Sequence, residues 1–139
     1  MTYRIRSIVR HLGGGLLLLS LTLPLSQCEK QVSYPLDGFN FTDIGSYMLL
    51  AAYIWPILTN FTRISLKSPK KQLATAVFEA LFCVASGWLI LCLASIGDRI
   101  LIGGYVAFTG LFIYLSASIA EIWSLWRECR ALRPPDHPI

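Results

Sequence analysis

The sequence predicts an all-α fold, an integral membrane bundle of four transmembrane helices that forms a single membrane domain over residues 1–139. Of the 139 residues, 55% are hydrophobic and only 14% are charged, whereas a soluble domain carries about 25% charged residues. Residues 73–96 form an apolar run broken by one charge, Glu79, and a run of 18 or more such residues is typical of a transmembrane helix. The other predicted spans cover about residues 12–27, 43–61 and 100–126.

The first span is the shortest, and its interpretation remains open. Residues 12–27 carry no charge and follow a short basic leader. We favour an uncleaved membrane helix, but a basic leader before a short apolar run is also typical of a signal peptide. Leu25-Ser26-Gln27-Cys28 resembles a bacterial lipobox, which would make Cys28 a lipidation site, although Gln27 stands where a small residue is expected.

The connecting segments differ in charge. Residues 28–42 are polar and rich in turn-forming residues, which predicts an external loop. Residues 62–72 are basic and are predicted to be a cytoplasmic loop, in which Ser68-Pro69 is a good start for the third helix. Gly97-Asp98 predicts a tight link that makes the third and fourth helices antiparallel. Residues 133–139 are predicted to be a disordered tail.

The distribution of basic residues predicts the orientation. Under the positive-inside rule, four spans with both termini in the cytoplasm place most basic residues inside and only Lys30 and Arg99 outside. We therefore expect an integral protein of a bacterial inner membrane. The residues expected on the cytoplasmic side are Arg4, Arg6, Arg10, Arg63, Lys67, Lys70, Lys71, Arg127, Arg130 and Arg133.

Small residues recur along one face of the third helix and one face of the fourth. Small side chains let membrane helices approach closely, which substitutes for the missing hydrophobic driving force. We expect these faces to contact each other or the second helix. The helix-packing residues so predicted are Ala76, Ala80 and Gly87 on the third helix, and Gly103, Ala107 and Gly110 on the fourth.

Glu79 is the main candidate for chemistry. It lies eight residues past Lys71, roughly 12 Å at 1.5 Å per residue, and a charge at such depth costs about 2.5 to 3.5 kcal/mol. Cys83 and Ser86 follow at helical spacing, so the three predict a narrow intramembrane polar site. Glu79 is either a proton-linked or substrate-binding carboxylate, or a carboxyl bonded to a neighbouring helix. Glu121 lies in the same half of the membrane and either joins this site or contacts headgroups or an arginine, which we favour.

Several classes of function lack their sequence signatures. The four cysteines form no zinc or redox motif, and no catalytic or phosphate-loop motif is present. His11 and His137 both lie outside the spans, so no axial pair for a membrane haem exists. The basic residues sit at the ends of apolar runs rather than in the blocks that nucleic-acid binding needs. We expect no catalytic residues, metal, cofactor or nucleic-acid partner.

In length, number of spans and its buried glutamate the chain resembles the small multidrug resistance transporters. Those proteins carry their essential glutamate in the first span, whereas Glu79 lies in the third span here. The resemblance is one of architecture, and no residue motif carries over.

These observations favour a small multi-pass membrane protein that is a non-catalytic accessory or structural component of a membrane complex. Its expected partners are the lipid bilayer and either another membrane protein or further copies of itself. The alternative is a small oligomeric transporter or channel that uses Glu79.

Overall fold

The computed structural model describes residues 3–28, 31–37, 39–64, 68–95 and 97–131, with all their side chains except those of residues 3, 4, 28 and 60–64. The described chain is mostly helical, as the sequence predicted. Its elements, in chain order, are α1 (Tyr3–Ser20), β1 (Ser26–Cys28), β2 (Gln31–Ser33), α2 (Ile44–Ile64), α3 (Pro69–Ala94), β3 (Arg99–Ile100) and α4 (Ile102–Ala131).

The most extensive helix contact joins α1 to α4, and α3 packs on α4 as well. The chain numbers run in opposite directions along the α1–α4 contact. Arg6 meets Ser124, Gly13 meets Gly110, and the segment after α1 meets Gly103. These two helices are therefore antiparallel, and α4 lies between α1 and α3. The second helix packs mainly on α3.

The first helix differs from its predicted range. It spans Tyr3–Ser20 rather than residues 12–27, so it includes the basic leader. Tightened turns end it, with Leu21 N–H donating to Leu18 O over 3.1 Å and Leu23 N–H to Ser20 O over 3.2 Å. Pro24 follows, and a proline disfavours helical backbone at the residue before it. The run of apolar residues was therefore a poor guide to where this helix begins and ends.

A small antiparallel sheet lies at the end of the bundle where α1 ends and α4 begins. Its strand order is β2-β1-β3, and β1 pairs Ser26 with Ser33 and with Ile100. Strands were not expected in an all-α chain, nor within the predicted external loop, residues 28–42. A backbone bond from Gly103 N–H to Pro24 O, 2.9 Å, continues the connection beyond the sheet. The sheet thus fixes the segment after α1 against the start of α4.

The other helices lie close to the predicted spans of residues 43–61, 73–96 and 100–126. The third helix begins at Pro69 with Ser68 as its N-cap, and its C-cap is Ser95. Because β3 follows Gly97-Asp98, that dipeptide leads into a strand and does not join two helices directly. Residues 65–67 of the predicted basic loop and the predicted tail, residues 133–139, lie outside the described residues.

The bundle has apolar side chains on its outside and several charged or polar ones inside. Two of the described helices, α3 with 26 residues and α4 with 30, are long and apolar enough to cross a membrane. Large hydrophobic side chains are exposed around the bundle, among them Met48, Leu58, Phe78, Leu81, Trp88, Phe112 and Ile119. The buried polar or charged residues are Arg10, Ser20, Ser26, Ser46, Glu79, Ser86, Ser118 and Glu121.

Candidate functional site

Arg10 is a buried cation in α1. Its exposed fraction is 5%, and it lies on the same helix face as Gly13, Gly14 and Leu17, which are also buried. Spacings of three and four residues place these side chains one above another on an α-helix. The sequence predicted that Arg10 belongs to a basic leader ahead of the first span. The structure has Arg10 within α1 instead, because this helix begins early enough to carry it between the other helices.

Glu79 on α3 is fully buried, with an exposed fraction of 0%. It belongs to the inward face of α3, and its Oε2 lies 3.9 Å from Nε of Arg10. The carboxyl predicted to need a partner inside the bundle therefore contacts the guanidinium of another helix.

Glu121 on α4 completes the cluster. Its exposed fraction is 5%, and its Oε2 forms an ion pair with Nη2 of Arg10. Of the two alternatives for this residue, the structure supports contact with an arginine, and the same contact brings it together with Glu79. We call Arg10, Glu79 and Glu121 the charge triad.

The charge triad joins three helices through one guanidinium. Removing one partner of a buried ion pair typically destabilises a protein by about 3–5 kcal/mol, because the other charge stays buried without compensation. The three residues are therefore suited to fix how α1, α3 and α4 dock. The triad contains two carboxyls and one guanidinium.

Aromatic side chains connect the triad to α2. The Tyr114 ring lies 6.0 Å from the Arg10 guanidinium carbon, a distance at which a cation is attracted to the face of a ring. Trp55 of α2 packs edge-on against Tyr114, with ring centroids 4.9 Å apart. The hydroxyls of Thr59 and Tyr114 are 3.3 Å apart. Through Tyr114, all four helices therefore contribute side chains to one region.

Cys83 and Ser86, the other members of the predicted polar site, are buried on the same face of α3 as Glu79. The Cys83 thiol donates to the backbone oxygen of Leu111 over 3.2 Å. Cys83 thus connects α3 to α4 one helical turn after Glu79. The structure brings Glu79 together with Glu121 and leaves the Cys83 thiol bonded to backbone.

Gly110 of α4 packs on α1, and Gly103 packs on the segment that follows α1, rather than on α3 or α2. A Cβ atom added to Gly110 would lie 2.8 Å from Gly13 O, and one added to Gly13 would lie 2.8 Å from Gly110 O. At Gly103 the nearest atom would be Pro24 O, 2.5 Å away. The sequence predicted that this face meets α3 or α2, because its pattern gave no packing role to Gly13.

The small residues predicted on α3 are less tightly enclosed. Ala76 is buried, while Ala80 and Gly87 are half-buried. A Cβ at Gly87 would meet only Leu111 Cδ1, at an ordinary contact distance of 3.6 Å. Ala107, on α4, is fully buried. The α3–α4 contact therefore does not depend on close backbone approach at Gly87.

Sequence reasoning missed Arg10 and Gly13 as members of the site. A signal was present, since Arg10, Gly13, Gly14 and Leu17 have helical spacing, and Arg10 is the basic residue nearest the first apolar run. That pattern becomes informative only when the helix is taken to begin before residue 10.

Two further predictions concern lipidation and metals. The backbone of Cys28 lies in β1, and its side chain lies outside the described part of the chain, so lipidation stays a prediction. Within the described residues, no group of three or more His, Cys, Asp or Glu side chains is placed to hold a metal ion.

The sequence matches no family model and no curated protein, and the structure matches no solved structure.

Proposed function

We propose that this chain is a small multi-pass membrane protein that serves as a non-catalytic accessory or structural component of a membrane complex. In this proposal all four helices lie in the bilayer, and the end of the bundle that carries Lys70, Lys71, Arg127 and Arg130 faces the cytoplasm of a bacterial cell. The protein works by presenting its outer helix faces to a partner.

The inverted polarity of the bundle supports a membrane location. Charged side chains inside the hydrocarbon region are rare and almost always face the interior, where they pair with one another. Arg10, Glu79 and Glu121 fit that pattern, while large apolar side chains cover the outside.

Tryptophan and arginine side chains at the end of α4 support the same placement. The Arg127 guanidinium lies 5.0 Å from the Trp123 ring centroid, and that of Arg130 lies 5.1 Å from the Trp126 ring centroid. Tryptophan is enriched at the membrane–water interface, and arginine on its cytoplasmic side. This end of α4 therefore suits the cytoplasmic headgroup region.

The observation that carries the accessory role is the mutual pairing of the triad. One guanidinium contacts both carboxyls, so the most polar side chains of the bundle interior are engaged in helix docking. What remains on the outside is apolar helix surface, which packs on a partner helix through van der Waals contact.

The test is purification of a C-terminally tagged protein from its native membrane in mild detergent, followed by intact mass measurement of the eluted species. We expect a second polypeptide in fixed ratio. As a matched pair, Leu81→Ala on the outer face and Gly110→Leu on the inner face separate partner binding from folding. If the protein elutes alone as a homo-oligomer, a second polypeptide as partner is ruled out and the transporter alternative gains support.

The alternative is a small oligomeric transporter or channel that uses Glu79, and the composition of the triad favours it as the second candidate. Two carboxyls share one guanidinium, so the triad holds one carboxyl more than a single ion pair with Arg10 requires. In proteoliposomes with a trapped pH-sensitive dye, a transporter would move protons, and Glu79→Gln would abolish that flux while the protein still inserts. The accessory role predicts no proton flux with either the unmodified protein or Glu79→Gln.

A further inference from the structure

An apolar groove runs along the outside of the α1–α4 contact. Its volume is about 650 Å³. We call it the α1–α4 groove and define it by Arg6, Phe112, Leu115, Ile119, Trp123 and Ser124, which line it together with two smaller residues. Apolar side chains form most of its walls, and Arg6 and Ser124 place polar atoms at one end.

The length of the groove matches one leaflet of a bilayer. Phe112 and Ser124 are twelve residues apart on α4, which is about 18 Å at 1.5 Å per residue. Half of a typical hydrocarbon core is about 15 Å. A single acyl chain that spans one leaflet therefore covers most of the length of the groove.

Arg6 supplies a cation that is only partly satisfied. Its Nη1 donates to Ser124 Oγ and approaches Ala120 O at 3.5 Å. Its Nε is buried without a hydrogen-bond partner in the described part of the chain. No described carboxylate forms an ion pair with Arg6, whereas Arg10, one turn further along α1, meets both Glu79 and Glu121.

The polar end of the groove lies at the level where headgroups are expected. Trp123 lines that end and carries Arg127 over its ring. Tryptophan rings sit at headgroup depth, so Arg6 lies there too when α4 spans the bilayer. Guanidinium groups bind phosphate through charge-assisted hydrogen bonds.

We propose that the α1–α4 groove binds an anionic phospholipid of the cytoplasmic leaflet. The phosphate contacts Arg6 at the Ser124 end, and one acyl chain lies against Phe112, Leu115 and Ile119. The inference rests on the proposed function only in placing α1 and α4 in the bilayer. The positive charge of Arg6 selects an anionic headgroup over a zwitterionic one.

The test is native mass spectrometry of the purified full chain, titrated in detergent with dioleoylphosphatidylglycerol or dioleoylphosphatidylcholine. We expect tighter binding of the first lipid. Arg6→Gln should weaken binding of that lipid about fivefold, the equivalent of one basic residue at a membrane surface, and should weaken binding of the second, zwitterionic lipid less. Arg130→Gln is the matched control, because Arg130 lies at the same end of the bundle over Trp126 and outside the groove.

A second variant tests the acyl-chain half of the site. Ser116 lines the groove and is exposed, so Ser116→Phe fills the groove without entering the bundle interior. We expect it to weaken binding of both lipids, and we expect inorganic phosphate not to compete with phosphatidylglycerol. Competition by inorganic phosphate would make this a free-anion site and would overturn the lipid assignment.

Equal loss of binding in Arg6→Gln and Arg130→Gln would also overturn the proposal, because it would mean general attraction to a basic surface. Unchanged binding in both Arg6→Gln and Ser116→Phe would do the same. These outcomes leave the proposed function intact. If alkaline carbonate extracts the protein from membranes, however, its helices do not span the bilayer. That result would contradict the membrane placement itself.

Discussion

The α1–α4 contact and the α2–α3 contact are held together by different physics. Between α1 and α4, glycine backbones touch at Gly13 and Gly110, and an ion pair joins Arg10 to Glu121. Between α2 and α3, the rings of Trp55 and Phe82 pack with centroids 6.1 Å apart. Close backbone approach and buried charge permit few substitutions, whereas aromatic packing adapts to changes in size. The first contact should specify the fold, and the second should tolerate variation.

Breaking the triad should have the largest effect on the free energy of unfolding. With Arg10→Leu, Glu79 and Glu121 lose their shared cation, so we expect a loss of about 3–5 kcal/mol in the free energy of unfolding. Unfolding of the detergent-solubilised protein by added sodium dodecyl sulfate, followed by circular dichroism, measures it. Arg130→Leu, at an exposed arginine, is the control and should change little. Equal stability of the two variants would show that the triad does not hold α1 in place.

The glycine contact comes next. Gly110→Ala places a Cβ atom 2.8 Å from Gly13 O, so backbone must move, and we expect a loss of about 1–3 kcal/mol. Gly87→Ala on α3 is the matched control, because its Cβ meets only Leu111 Cδ1 at 3.6 Å. Since alanine favours a helix over glycine, that variant should be neutral or stabilising. Thermal denaturation followed by tryptophan fluorescence compares the two, and an equal loss in both would contradict the contrast.

A smaller effect is expected at the aromatic contact. Phe82→Leu removes the ring that packs against Trp55 but keeps an apolar side chain, so we expect a loss of about 0.5–1.5 kcal/mol. The same sodium dodecyl sulfate titration measures it, with exposed Leu81→Met as the control. A loss as large as that of Arg10→Leu would mean that α2 specifies the fold as strongly as α1 does.

The smallest expected change in stability comes from replacing two buried serines, Ser118 and Ser20, and it should differ in sign between them. Ser118 Oγ is buried with no hydrogen-bond partner in the described part of the chain, whereas Ser20 Oγ donates to Leu17 O over 2.6 Å. Ser118→Ala should therefore be neutral or raise stability by about 1 kcal/mol, while Ser20→Ala should lose about 1 kcal/mol. Differential scanning fluorimetry of both variants gives the sign, and a clear loss in Ser118→Ala would reveal a partner for that hydroxyl.

Much of the fold was predictable because long apolar runs in the sequence indicate long helices. Residues 73–96 and 100–126 predicted helices that the structure has as Pro69–Ala94 and Ile102–Ala131. The first helix was misplaced because the prediction treated its arginines as a boundary. A charge ends an apolar run in the sequence, but it does not end a helix whose partners neutralise it.

Only part of the candidate site was predictable from the sequence, namely its two glutamates. Glu79 stood out as a carboxyl inside an apolar run, and Glu121 was placed in the same half of the membrane. Their cation did not stand out, because Arg10 lies 69 residues before Glu79 and 111 before Glu121 and looks like an ordinary topology signal. The local sequence does not indicate which faces of two distant helices will contact each other.

The sequence by itself determined the number of long helices, the position of Glu79 within one of them and the small-residue faces of α3 and α4. Those properties follow from composition and helical spacing, which are local. The tertiary structure alone decided that Arg10 enters the bundle, that Gly110 packs on Gly13, and that β1 pairs with β3. Each depends on two segments far apart in the chain, and a close contact or an ion pair forms only where folding brings complementary faces together.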